Sequence, residues 1–367
     1  MTTTLFTDVR VFDGDGLTEP ATVLVRDGVI AAVTPGGSPA DLPDGAVPED
    51  AEKVAGEGGT LLPGLIDAHL HVNGRKDLDA LVQHGVTTGF DMASWPAELT
   101  AAMRAEQHTA GMISAGLPFI GPAGPHSHFG MPDGAVVTDP ADVPAGVARR
   151  VGEGSDWIKV VTEDPGQGGP EPEVVAAVVQ AAHAAGRRVV AHASHLGAFT
   201  MSLDAGVDVL THVPTEAAVD ADVAARMVEG ARIAIPTLSV SKTLTSMRPA
   251  PGVSYDNARA SVAAMHEAGV PVLAGTDSVD QPGVPFSIPL GSTLHQELVL
   301  LVDAGMTPVE ALRAATSLPA EHFGLADRGA VREGLRADLL LVGGDPTSDI
   351  TATQDVRGVW VGGERLR

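Results

Sequence analysis

The stretch Leu62-Pro63-Gly64-Leu65-Ile66-Asp67-Ala68-His69-Leu70-His71 decides how this chain folds. It is an apolar segment of strand character that ends in two histidines. Because side chains alternate along a strand, His69 and His71 point the same way, and Asp67 shares their face. Neutral imidazoles placed in this way can bind one metal ion. A His-x-His pair also arises from packing or by chance, but the Pro-Gly lead-in and the later histidines favour metal binding.

Short apolar runs alternate with amphipathic helical stretches beyond Thr60, a pattern typical of parallel strands covered by crossover helices. The helices predicted over residues 173–185 and 196–205 each precede a strand that delivers a histidine, His192 or His212. A later strand, predicted over residues 271–276, delivers Asp277. A barrel carries its chemistry at the carboxyl ends of its strands. The pattern therefore predicts an α/β fold, a (β/α)8 TIM barrel with its active site at that end.

The two ends of the chain alternate apolar and polar residues instead. Residues 1–58 contain Asp27-Gly28, a turn signal between two strands, and residues 328–367 contain a strand segment over 336–342. We expect these two segments to form one small β-sandwich domain, and residues 59–327 to form the barrel. Within the barrel, Thr307-Pro308-Val309-Glu310 is a capping box that predicts a helix through Thr316.

The composition excludes several classes of protein. Hydrophobic residues make up 44% of the 367 residues and charged residues 19%, which is typical of a globular chain. A formal net charge of −24 repels phosphate backbones and anionic membrane surfaces, so we expect neither nucleic acid nor membrane as a partner. The absence of cysteine excludes thiolate ligands and a cysteine nucleophile. Without a leader or a long apolar run, a cytoplasmic protein is expected.

Lys159 lies in the apolar strand segment Asp156-Trp157-Ile158-Lys159-Val160-Val161, where an unpaired ammonium would be costly to bury. One interpretation is an ion pair with Asp156, Glu163 or Asp164. The other is a lysine of lowered pKa whose free amine reacts with carbon dioxide, giving a carbamate that bridges two metal ions. The residues alone do not separate these two interpretations.

The motif over residues 62–71, together with the later polar residues, resembles the metal ligands of the amidohydrolase superfamily, in the branch with a carboxylated lysine. It looks most similar to the dipeptidase-like and imidazolonepropionase-related members. The segments Ala304-Gly305-Met306-Thr307-Pro308 and Arg336-Ala337-Asp338-Leu339 are also similar to that group, so the resemblance spans nearly the whole chain. It implies two divalent metal ions, with zinc expected, and the following ligands: His69 and His71 on the first ion, His192 and His212 on the second, N6-carboxylysine at Lys159 as the bridge, and Asp277 as both ligand and proton shuttle.

The expected function is metal-dependent hydrolysis of a C–N bond in a small molecule such as a dipeptide or an N-acyl amino acid. One alternative is a mononuclear deaminase or cyclic-amide hydrolase, which would bind one metal ion and leave Lys159 unmodified. A lactone or ester hydrolase stays open, because the same activated water attacks either carbonyl. A non-catalytic barrel scaffold is least favoured, since such proteins lose ligands that are present here. A homo-oligomer is expected by resemblance only.

Several further residues are candidates for contact with substrate. His126 and His128 lie in a Gly/Pro-rich loop over residues 121–130, which follows a strand predicted over residues 113–117. His195 stands three positions after His192 and supports the ligands, contacts substrate or begins a helix. Tyr255 is one of few aromatic residues that could shape a pocket. We also note Glu163 as a competing bridge and assign no role to His295 in His295-Gln296-Glu297-Leu298.

Overall fold

A computed structural model describes residues 2–281, 284 and 287–367 of the chain. Its strands are β1 Thr3–Phe12, β2 Leu17–Arg26, β3 Val29–Pro35, β4 Glu52–Ala55, β5 Thr60–Pro63, β6 Leu65–Leu70, β7 Val86–Asp91, β8 Gly111–Ser114, β9 Ile158–Val161, β10 Val189–His192, β11 Val209–Thr211, β12 Ile233–Ile235, β13 Leu339–Val342, β14 Val356–Val361 and β15 Glu364–Arg365. Its helices are α1 Arg75–Gln83, α2 Ala97–Ala105, α3 Val143–Gly152, α4 Pro172–Ala184, α5 Leu196–Ala205, α6 Ala221–Glu229, α7 Leu238–Met247, α8 Tyr255–Ala268, α9 Ser292–Asp303, α10 Pro308–Ala314 and α11 Ser317–His322.

Both ends of the chain contribute to one eight-stranded sheet, in the order β15-β14-β13-β5-β1-β2-β3 with β4 also paired to β1. The predicted turn at Asp27-Gly28 is confirmed: both residues have positive φ, 49° and 82°, and join β2 to β3 as a two-residue hairpin. Phe6 of β1 packs edge-on against Trp360 of β14, with 4.7 Å between ring centroids. Those strands stand three positions apart in the sheet, about 14 Å if it were flat. The sheet therefore folds over on itself, which gives the expected β-sandwich.

The barrel closes as a ring of parallel strands. β6, β7 and β8 form one section, and β9, β10, β11 and β12 form another. Single parallel bridges join the sections: Phe119 to Val160, Ala234 to Val272, and Ser278 to Leu70 of β6. Seven strands and residues 272–278 thus make the eight positions of the ring. Aliphatic side chains on the strands and on the helices around them fill the core.

The eighth position differs from the continuous strand predicted over residues 271–276. Regular pairing occurs only at Val272 and Ser278. Between them, the backbone N–H groups of Thr276 and Asp277 both donate to the carbonyl of His69, at 3.0 and 2.8 Å. Asp277 also takes a left-handed conformation, with φ 55°. This kink interrupts the ladder and delivers the Asp277 side chain over the barrel mouth.

The helices agree closely with the sequence patterns. α4 spans Pro172–Ala184 and α5 spans Leu196–Ala205, against predictions of 173–185 and 196–205. The capping box is present, since Thr307 Oγ1 accepts from the N–H of Glu310 while the Glu310 carboxylate accepts from the N–H of Thr307. That helix ends at Ala314 rather than at the predicted Thr316. In the described part of the chain, no helix combines the length and apolar character that a membrane crossing requires.

The chain passes from the terminal sheet into the barrel through Gly64. β5 pairs with β1 and β13 of the terminal sheet, although the sequence placed residues 59–63 in the barrel. Gly64 alone separates β5 from β6, and a Cβ there would lie 2.2 Å from Oγ1 of Thr87. Only glycine fits this close approach. The division into domains 1–58 with 328–367 and 59–327 stays a prediction, with β5 as the element that spans it.

Candidate metal centre

The carboxyl ends of the barrel strands surround one cavity of about 750 Å³. All six residues predicted as ligands line it: His69, His71, Lys159, His192, His212 and Asp277. The role of each as a ligand stays a prediction, but the barrel brings them together from segments that are far apart in sequence.

Three of these side chains form a possible site for a divalent cation. Potential ligand atoms of His69, His212 and Asp277 all lie within 4.8 Å of one another. Nε2 of His69 is 3.2 Å from Oδ1 of Asp277, and Nε2 of His71 is 3.1 Å from the same oxygen. The rings of His192 and His212 stand 4.4 Å apart between centroids. Nitrogen and oxygen donors in this number suit zinc and similar ions.

The protonation states also suit a cation. Burial lowers the pKa of His69 and of His192 well below its ordinary value, and it lowers the pKa of His212 to about 3. These imidazoles are therefore neutral at pH 7, with lone pairs free to coordinate. In addition, Nδ1 of His69 is buried without a hydrogen-bond partner among the described residues. The other ring nitrogen, Nε2, faces Asp277 at 3.2 Å and is the atom that would coordinate an ion.

Asp277 and His71 lie within hydrogen-bond distance of each other. Burial alone would raise the pKa of Asp277, but the neighbouring His69 and His212 and the imidazole hydrogen bonds hold it well below the usual range. Burial opposes a charge on His71 too, yet its hydrogen bond to Asp277 outweighs that effect and raises its pKa. The single carboxylate of Asp277 contacts both imidazoles, but it does not stabilise a protonated form of both at once. The two imidazoles respond in opposite directions: the pKa of His71, whose side chain is 22% exposed, is raised, whereas that of His69, whose side chain is 1% exposed, is lowered.

A hydroxyl group fixes the orientation of His212. Nδ1 of His212 lies 2.7 Å from Oγ1 of Thr237, at the start of α7. When Nδ1–H donates to this oxygen, Nε2 remains available to an ion. Both residues have left-handed backbones, with φ 67° for His212 and 50° for Thr237. Such conformations cost on the order of 1–3 kcal/mol and concentrate at functional sites.

Lys159 is buried without an ion pair among the described residues. Its Nζ donates to Oγ1 of Thr211 at 3.0 Å. The expected competing partners are engaged elsewhere: Asp156 pairs with Arg104 at 2.6 Å, and Glu163 contacts His126 at 3.3 Å. Burial lowers the pKa of Lys159 to about 7, against the opposing charge of Asp277. A substantial fraction of this amine is therefore uncharged near neutral pH.

The remaining substrate-contact candidates divide into two groups. His126, His128 and His195 line the cavity, and the His126 ring stands 4.6 Å from that of His192. His195 also precedes the first residue of α5 as its N-cap. Tyr255 does not line the cavity; it begins α8, where Nζ of Lys242 lies 5.5 Å from its ring centroid. The structure therefore gives no support for Tyr255 as a substrate contact. That prediction rested on the rarity of aromatic residues, which does not determine where they lie.

Sequence reasoning missed two residues near the ligands. Asp91 ends β7, is fully buried, and accepts hydrogen bonds from the N–H of Val72 and the hydroxyl of Ser114. A polar residue at the carboxyl end of a barrel strand is a signal that could have found it, but this strand was not among those predicted. Arg248 follows α7 and lines the cavity. No sequence pattern points to Arg248, because its position depends on how α7 packs.

Comparison with known proteins places this site in a family. A sequence model described as the Amidohydrolase family matches residues 60–366. The chain belongs to the amidohydrolase family. It is accordingly an enzyme that hydrolyses carbon–nitrogen bonds of a small molecule, and members of the family generally bind divalent metals. The predicted superfamily and fold class are confirmed, whereas the carboxylated-lysine branch stays a prediction.

Amidohydrolase relatives match most of the chain. An uncharacterised protein of Mycobacterium tuberculosis is 31% identical over 332 residues, covering 80% of this chain and 83% of that protein. Ochratoxinase of Aspergillus niger is 26% identical, over 96% of this chain and 84% of that protein. Among solved structures, a Xaa-Pro dipeptidase with bound methionine in its active site superposes with a TM-score of 0.82 at 22% identity, covering 99% of both chains. That structural likeness confirms the fold.

Proposed function

We propose that this amidohydrolase is a binuclear metal enzyme that cleaves the amide bond of a dipeptide or an N-acyl amino acid. The observation that carries the proposal is Lys159: a buried amine, bonded only to Thr211 among the described residues and partly uncharged near pH 7. Such an amine can react with carbon dioxide. The carbamate would then lie between the two sets of histidines, with N6-carboxylysine as the bridge.

The residues present fit two divalent ions. His69, His71 and Asp277 would hold the first, His192 and His212 the second. Divalent ions at such a centre lower the pKa of water towards neutrality and polarise a substrate carbonyl. Zinc suits this set of nitrogen and oxygen ligands, as do similar ions.

Asp277 has the chemistry of a proton shuttle. Its pKa lies well below the usual range, so it is a carboxylate at pH 7 and can accept a proton. It lines the cavity, where it can pass that proton to the leaving nitrogen of the amide. The same side chain would thus bind the first ion and move the proton, as the resemblance implies.

The cavity wall supports a substrate with a carboxylate and an apolar group. Arg248 lines the cavity, and its guanidinium has no hydrogen bond or ion pair among the described residues. The cavity is also lined by apolar side chains, among them Trp95, Phe129 and Met131, which could contact an apolar group of the substrate. Guanidinium groups bind carboxylates through two parallel hydrogen bonds. Dipeptides and N-acyl amino acids carry the required carboxylate.

The test measures metal content per chain and amide hydrolysis together. Wild-type protein and Lys159→Ala are prepared with and without bicarbonate, and their turnover is compared on a panel of dipeptides and N-acyl amino acids. We expect about two metals per wild-type chain, and loss of metal and turnover in Lys159→Ala. Intact mass of the wild type should show one added carbon dioxide. One metal in both proteins, with unaltered turnover, would overturn the proposal.

A mononuclear deaminase or cyclic-amide hydrolase is the second candidate function. The observation that favours it is the compact group of His69, His212 and Asp277, which suffices for one ion. A lactone or ester substrate is a further alternative, and matched ester substrates in the same panel test it. Zinc as the native metal, homo-oligomerisation, the absence of nucleic-acid or membrane partners and a cytoplasmic location stay predictions.

A further inference from the structure

Glu297 is a fully buried carboxylate with no place in the proposed chemistry. It lies in α9, within the segment His295-Gln296-Glu297-Leu298. Its Oε1 accepts from the N–H of Leu238 at 2.8 Å, and its Oε2 accepts from the N–H and hydroxyl of Ser239 at 2.7 and 2.6 Å. A buried charge persists only where it has such partners. All three bonds go to the first turn of α7.

The first turn of α7 lacks the cap that its own sequence could supply. A helix leaves its first N–H groups unpaired, and a threonine at the N-cap ordinarily accepts from one of them. Thr237 is the N-cap of α7, yet its side chain makes no capping hydrogen bond, and its φ of 50° is left-handed. The Glu297 carboxylate pairs with those N–H groups instead. Burial raises the pKa of Glu297 to about 7, and in the ionised fraction its negative charge also complements the positive end of the helix.

The Thr237 hydroxyl, released from capping, serves another residue. Its Oγ1 lies 2.7 Å from Nδ1 of His212. We propose that Glu297 is a positioning residue of the metal centre: by capping α7 in place of Thr237, it leaves the Thr237 hydroxyl to hold His212 in its metal-binding orientation. The inference rests on the proposed role of His212 as a ligand.

Anchors on α9 make this arrangement rigid. Nδ1 of His295, two residues before Glu297, lies 3.0 Å from Oγ1 of Thr353, and its Nε2 lies 2.9 Å from the carbonyl of His84. α9 is thereby tied to the turn before β7 and to the C-terminal part of the chain. A fixed α9 holds the Glu297 carboxylate at one position, and the carboxylate in turn fixes the start of α7.

The test measures metal affinity, without any substrate, by competition with a chromophoric chelator for Zn²⁺. Glu297→Gln keeps the shape but replaces one acceptor oxygen with a donor facing an N–H. Thr237→Val keeps the branched shape and removes the hydroxyl. Each variant should weaken the affected metal site about 10- to 100-fold, the usual loss when a residue that orients a ligand is removed. Thr237→Ser should restore near wild-type affinity.

A double-mutant cycle separates this role from a merely structural one. If Glu297 acts through Thr237 and His212, the double variant should lose no more affinity than the weaker-binding single variant. Co²⁺-loaded Glu297→Gln and Thr237→Val should also share one altered visible spectrum. The control is Asp338→Asn, another buried carboxylate, ion-paired with Arg328 and Arg336 in the terminal sheet. It should reduce stability and leave metal affinity unchanged.

Two results would overturn the inference: wild-type metal affinity in Glu297→Gln, or fully additive losses of affinity in the double variant. If Glu297→Gln does not fold, Ser239→Ala takes its place, because it removes one of the three bonds to Glu297 without touching His212. Ser239→Ala should then weaken the site several-fold, and an unchanged site would overturn the inference. Full metal binding by His212→Ala would instead refute the proposed function itself.

Discussion

Nε2 of His71 lies 3.1 Å from Oδ1 of Asp277, although 206 positions separate the two residues. His71 follows the first strand of the barrel ring, and Asp277 belongs to its eighth position. The N–H groups of Thr276 and Asp277 reinforce this junction through the carbonyl of His69. The contacts that close the ring therefore lie directly beside those that bring His71 and Asp277 together.

Replacing Asp277 should remove both a ligand and the proton shuttle. We expect Asp277→Asn to lose metal at the first position and at least about 100-fold in turnover, since proton transfer alone contributes that much. Metal analysis and steady-state kinetics measure the two effects. Asp280→Asn is the control, because Asp280 is exposed and pairs with Lys76 at 2.8 Å outside the centre. Normal turnover by Asp277→Asn would exclude its role as a shuttle.

Glu163 should orient His126 rather than bridge metals. Its Oε1 lies 3.3 Å from Nδ1 of His126, and both residues line the cavity. We expect Glu163→Gln to keep its full metal content while turnover falls roughly 10-fold, with His126→Ala falling similarly and the double variant no further. Metal analysis decides between the alternatives. Loss of metal in Glu163→Gln would instead identify Glu163 as a bridging ligand.

Arg248 should recognise the substrate carboxylate. A charge-assisted hydrogen bond contributes about 1.5–3 kcal/mol, so Arg248→Ala should raise KM by roughly 10-fold or more for an N-acyl amino acid. KM for the matching carboxamide, which lacks the charge, should change little. The comparison uses one acyl group and one side chain in both substrates. Equal effects on the two substrates would show that Arg248 does not read the carboxylate.

His295 should make stability depend on pH. Burial lowers its pKa to about 4 from an ordinary value of 6.5. The folded protein thus resists a proton that the unfolded chain accepts, so stability present above pH 6.5 is lost as the pH falls towards 4. The full loss amounts to about 3 kcal/mol. Urea unfolding of metal-free His295→Gln should show a flatter decline than the wild type.

The control for His295 is His108→Gln, an exposed histidine that contacts Glu364. This variant removes one exposed histidine and leaves the contacts of His295 in place, so it shows the effect of losing a histidine elsewhere in the protein. A decline in His295→Gln as steep as in the wild type would show that other groups cause the acid sensitivity.

Local patterns predicted much of the fold and of the candidate centre. The helices α4 and α5 and the strands before His192 and His212 follow from periodicity and glycine stops, which depend on neighbours in sequence. The shape of the chain at the eighth position of the ring could not be predicted in this way, because the kink at Asp277 arises from contacts with His69 on the neighbouring strand, far away in sequence. The positions of the Arg248, Thr237 and Glu297 side chains could not be predicted either, because helix packing decides where they point.

The terminal sheet has a consequence for how the protein is made. β13 pairs with β5, and β14 and β15 extend the sheet from β13, so strands made after the barrel complete a sheet begun by strands made before it. Until β13 has been synthesised, β5 lacks this partner, and Leu61 and Leu62 lack the cover of the finished sheet. The nascent enzyme must therefore keep a half-built edge from aggregating while the whole barrel is translated. A chain truncated before β13 should be a substrate for chaperones and proteases rather than a smaller working hydrolase.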